Sequence, residues 1–107
     1  MTDKYTFHQD LADIFTDPPE DSIVSRTITN SDDSRVILFS FAPGQELSEH
    51  TAAMPAILHF VSGEADVTLG EDSFTAQANT WAHMEPNLPH SIVAKTAVSM
   101  LLIMIKK

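Results

Sequence analysis

The apolar residues of this chain fall into short runs, and most of the runs alternate. Ala65, Val67 and Leu69 are interleaved with Asp66 and Thr68, the two-residue period of a strand with one buried face. Residues 23–28, 35–41, 47–50, 56–61, 73–76, 80–84, 90–94 and 97–105 also read as strands. Together they make about nine short strands at the even spacing of an all-β sandwich or barrel. Turn formers separate them: Asn30 to Asp33, Pro43 with Gly44, Gly63 with Glu64, and Gly70 with Glu71. Pro55 marks an irregularity ahead of residues 56–61. Residues 10–15 depart from the strand period. There Leu11, Ile14 and Phe15 share one face of a short helical turn. Thr16, Asp17, Pro18 and Pro19 stop it, because proline cannot continue a helix. Residues 1–33 therefore read as a lead-in that packs on a barrel formed by residues 34–107, one domain overall.

Two of the strands are apolar on both faces. Residues 35–41 set Val36 and Leu38 on one face and Ile37, Phe39 and Phe41 on the other. Residues 97–105 divide into Val98, Met100, Leu102 and Met104 against Leu101, Ile103 and Ile105. A strand of a solvated sandwich needs only one apolar face. The core covers one side of these two, and Leu11, Ile14 and Phe15 can cover part of the other. A second copy is the simpler cover for the remainder, so a homodimer through this surface is predicted.

Length and charge narrow the function. The chain has 107 residues, enough for one core. A formal net charge of −9 argues against nucleic acid and anionic membrane surfaces, which need a basic face. There is no cysteine, so disulfides and thiolate metal sites are excluded. The opening residues lack a signal-peptide core, and the apolar run 100–105 is too short to span a bilayer, which predicts a cytoplasmic protein. No Gly-x-Ser-x-Gly elbow, phosphate loop or dinucleotide fingerprint occurs.

Candidate chemistry then rests on histidines. Gly44 is followed by five residues and His50, with Ala52, Ala56 and Gly63 further on; a second stretch runs Glu85, Pro86, Asn87, Leu88, Pro89, His90. This arrangement resembles the two motifs of the cupin family: Gly, five residues, His-x-His, then Glu and Gly, and later a turn ending in Pro-His. The resemblance spans residues 35–105. It implies an all-β double-stranded β-helix, or jelly-roll, barrel with the short N-terminal helical turn outside. In cupins the motif residues hold a metal through three His and one Glu. Here His50 and His90 occupy two of those positions, and alanine occupies the other two. A divalent transition metal on His50 and His90 would leave most of its shell to water or to a substitute such as Gln45 or Glu46. By strand parity Glu46 shares the face of His50.

Small residues at 52 and 56 also leave space. A ligand pocket is predicted from His50, Ala52, Met54, Ala56, Leu58, Phe60, Met84, His90 and Ile92, suited to a small organic molecule with one polar or anionic group. The bland alternative is that these side chains simply fill the barrel. Alternation points His59 and His83 away from the interior. In cupins their strands are neighbours, so both are expected near Trp81 on the outer face, at or near the dimer interface. A one-residue slip would instead turn one of them into a third metal ligand. The resulting expectation is a small-molecule-binding cupin of undetermined activity. The alternatives are a metal-dependent cupin enzyme of dioxygenase or isomerase type, and a barrel without chemistry that acts as a sensor or assembly unit.

Overall fold

The computed structural model describes residues 4–15 and 17–106; Thr16, part of the expected helix stop, lies outside the described residues. The strands are β1 (Ile23–Asn30), β2 (Ser34–Phe41), β3 (Glu46–His50), β4 (Ala56–Ser62), β5 (Ala65–Leu69), β6 (Asp72–Ala76), β7 (Trp81–Met84), β8 (His90–Ala94) and β9 (Val98–Ile105). They form two antiparallel sheets, one of five strands in the order β1-β2-β9-β4-β7 and one of four in the order β3-β8-β5-β6. The chain passes from one sheet to the other at β2–β3, β3–β4, β4–β5, β6–β7, β7–β8 and β8–β9, the weave of a jelly roll. The all-β barrel read from the alternation is therefore present.

Local chemistry explains the crossings. Gly44 and Gly63 stand at φ of +84° and +88°, a backbone region that side chains with a Cβ avoid. Gly70 (φ +63°) and Glu71 close the hairpin between β5 and β6. Asn87 takes a φ of +66° in the turn before His90, and asparagine tolerates that region better than other residues with a Cβ.

Cross-strand rows place the core. On the inner face of the five-stranded sheet, Phe39, Met100 and Phe60 form one row; Ile37, Leu102, Leu58 and Ala82 form the next; Arg35, Met104, Ala56 and Met84 form the third. The four-stranded sheet answers with Leu47, Ile92, Val67 and Phe74, flanked by Ala94, Ala65 and Ala76 on one side. Phe41, Phe60, Leu58, Ile92, Met100 and Val98 are the largest fully buried side chains. Burying such a residue stabilises the fold by about 1.5–3 kcal/mol before entropy is counted.

The lead-in has two parts. Asp10 caps a single 3-10 turn, Leu11–Ile14, its Oδ1 accepting from the Ala12 N–H at 3.0 Å. The turn lies on the outer face of the five-stranded sheet, where Leu11, Ala12 and Phe15 border a cavity with Leu38, Val61 and Ser99. Ile14 and Leu38 are buried. The second part is β1, which pairs with β2 from Ile23 to Asn30. β1 thus supplies the edge strand of the five-stranded sheet.

Candidate functional site

β3 and β8 meet antiparallel at one end of the barrel, and His50 is the register partner of His90. Their ring centroids are 4.1 Å apart with planes inclined by 60°, an edge-to-face pair. His90 is buried and His50 is exposed, so the pair runs from the interior to the rim. A register shift between Leu47 and His50 brings both Leu47 and His50 onto the inner face. Such a bulge reverses strand parity. Glu46 consequently pairs with Val93 on the opposite face, which removes it as the substitute ligand that simple parity suggested.

Each ring is oriented by the backbone. The Nδ1–H of His50 donates to the Ser48 carbonyl, and that of His90 to the Leu88 carbonyl, both at 2.9 Å. A carbonyl can only accept, so in each neutral ring Nδ1 carries the proton and Nε2 keeps its lone pair. Ligating histidines are commonly held in this way. The turn before His90 is itself tied down: the Asn87 N–H donates to the Ala52 carbonyl at 2.7 Å and the Gly70 N–H to the Pro89 carbonyl at 2.8 Å.

The remaining predicted pocket residues sit differently. Ala56, Leu58, Phe60, Met84 and Ile92 are 0–2% exposed and belong to one packed core cluster. Ala56 lies in register between Met84 and Met104, so methionines occupy the neighbouring positions where a carboxylate ligand would need space. Ala52 and Met54 are half-buried near the rim. The barrel-filling alternative describes Leu58, Met84 and Ile92.

His59 and His83 occupy the outer face. His59 partners Trp81, and Ile57 partners His83, with no slip in the β4–β7 register. The reading that made one of them a third interior ligand is thereby excluded. Among the described residues no group of three or more His, Cys, Asp or Glu side chains could hold a metal. Two imidazoles supply two of the three histidines of a cupin metal set; among the described residues the third histidine and the carboxylate have no counterpart.

Arg35 opens an apolar strand, and nothing in its sequence context marks it as a site residue. Steps of two residues put it on the inner face with Ile37, Phe39 and Phe41. β2 leads from its far end into β3, so Arg35 stands at the same end of the barrel as His50. One of its guanidinium nitrogens donates to Thr27 Oγ1 at 3.4 Å, while its Nε is buried without a hydrogen-bond partner. A buried donor left unpaired is costly and rare, and only the folded structure reveals it.

A two-sheet jelly-roll barrel with a histidine at each of two motif positions defines the class. Neither a family model nor a curated protein sequence matches the chain. Solved structures do. A cupin superfamily protein from Desulfitobacterium hafniense superposes with a TM-score of 0.85 at 23% identity, over 96% of this chain and 97% of that one. A conserved protein of unknown function from Streptococcus pyogenes gives 0.83 at 26%, over 97% and 90%. A Cupin 2 conserved barrel domain protein from Leptotrichia buccalis gives 0.79 at 27%, over 89% of this chain and 46% of that one. The fold is that of the cupins.

Proposed function

We propose that this cupin binds a small organic molecule at the His50–His90 end of its barrel. The observation that carries the reading is the pair of adjacent imidazoles, each held by a backbone carbonyl so that Nε2 is free to accept. Two acceptors side by side suit a ligand with a hydroxyl donor. Arg35, on the inner face at the same end, adds a cation for an anionic group. A small hydroxy acid combines both features.

Salicylate in EDTA-treated buffer tests this. Saturable shifts of the His50 and His90 ring protons are expected, weakened at least about tenfold in His50→Ala, while stability changes by less than about 1 kcal/mol because His50 is exposed. Ring signals that ignore salicylate would remove the reading. The same Nδ1 anchors favour a second reading, a divalent transition metal held by the two Nε2 atoms and water. Stoichiometric metal in unchelated protein, lost in His50→Ala, would favour it.

The outer face of the five-stranded sheet supports a homodimer. Val36, Ile103, Ile57 and His83 form one row across it, and Leu38, Leu101, His59 and Trp81 the next. The N-terminal turn buries Leu38, but Trp81 is 58% exposed and Ile57 and Ile103 are half-buried.

A further inference from the structure

The two sheets end at one side of the barrel in free edges, β6 and β7, joined by residues 77–80. Phe74 ends the middle inner row of the four-stranded sheet, and Ala82 ends that of the five-stranded sheet. Inner-face aromatics of a barrel are ordinarily buried, yet Phe74 is 54% exposed. Ala82 is too small to fill the space across from it. Between the two edges lies a cavity of about 320 Å³, within the size range of small-molecule sites. Its inner wall is core: Phe60 (1% exposed), Val67 (4%) and Ala76 (0%). Leu69 closes it toward His90, and Trp81 borders its mouth.

The lining decides the chemistry. Among the described residues no ionisable side chain lines this cavity. Of the two threonines at the cavity, Thr75 holds an outward-facing strand position, whereas Thr80 Oγ1 accepts from the Gln77 N–H at 2.9 Å, which leaves its O–H to donate to a ligand. A charged ligand would be desolvated here without compensation. An aromatic ring could instead lie between Phe74 and Ala82 against Phe60, with one neutral polar group toward Thr80.

We propose that the β6–β7 cleft is a second binding site, distinct from the histidine end, for a small neutral aromatic or alicyclic molecule carrying at most one hydroxyl-like group. It does not depend on the reading of His50 and His90.

Benzyl alcohol is the probe, with benzoate and benzylammonium as charged isosteres. Trp81 is the sole tryptophan of the chain, so its emission reports on the cleft mouth once light scattering shows that the probe leaves the oligomeric state unchanged. Saturable methyl shifts at Val67, Leu69, Ala76 and Ala82, with a parallel change in Trp81 emission, are expected for benzyl alcohol. The charged isosteres should act at the cleft at least about tenfold more weakly. Ala82→Leu, which fills the cleft, should abolish the effect; if that variant fails to fold, Ala76→Val serves the same purpose. His50→Ala should leave it unchanged. The proposal is overturned by no saturable shift at millimolar probe, by equal response to the charged isosteres, by persistence in a folded cleft-filling variant, or by loss in His50→Ala.

Discussion

The two sheets of this barrel share one core but meet the outside differently. The four-stranded sheet turns Asp66, Thr68, Ser73, Thr75 and Ser91 outward, the ordinary division of a solvated antiparallel sheet. The five-stranded sheet turns two apolar rows outward, ending in His83 and Trp81. Folding requires one apolar face per sheet. The second apolar face of the larger sheet is therefore unexplained by the core, and the N-terminal turn over Leu38 accounts for only part of it.

Changing the link between the sheets has the largest expected effect. A Cβ on Gly63, in the β4–β5 crossing, would overlap the Ala97 carbonyl oxygen and lie 2.8 Å from Val98 Cα. Both are backbone and cannot swing aside. Gly63→Ala is expected to cost more than about 3 kcal/mol or to prevent folding, because a forbidden contact adds to an unfavourable φ. Gly44→Ala in the β2–β3 crossing is the control. Its φ is similar but nothing lies within 4 Å, so a cost of about 1 kcal/mol in urea denaturation is expected. Equal losses would mean that φ alone decides.

The next test acts on the outer faces. Ile103→Lys is expected to turn a dimer into a folded monomer by light scattering, since it puts a charge in the centre of the exposed apolar rows. Thr68→Lys, on the outer face of the smaller sheet, should leave association unchanged. A wild-type monomer at micromolar concentration would end the dimer proposal. The smallest effect concerns Lys95, which lies 3.6 Å from Glu64 and 3.5 Å from Asp66 in well-exposed ion pairs. Lys95→Ala should shift stability by no more than about 0.5 kcal/mol, because water and salt screen such pairs.

Much of this architecture was readable along the chain. Alternation assigned Ala65, Val67 and Leu69 to the interior and His59 and His83 to the outside, because a two-residue period fixes the face. It failed wherever the period broke. The bulge before His50 sent Glu46 to the wrong face, and no local signal announced it. Nor can a sequence say whether an alanine leaves room or lets a neighbour in. Ala56 sits between Met84 and Met104 in the packed core, whereas Ala82 borders a cavity. That difference depends on which strand lies opposite, a property of the assembled sheets. Arg35 shows the same limit: its face was predictable, but its buried Nε was not.

β9 has a consequence for how the molecule is made. Among the described residues it follows every other strand, yet it lies between β2 and β4 in the middle of the larger sheet. During synthesis β2 and β4 must wait with unpaired edges and uncovered apolar rows until the last strand emerges. Such open edges invite pairing with other chains. The interval before β9 arrives is thus the moment of greatest aggregation hazard, and a holding chaperone would have the most to protect there.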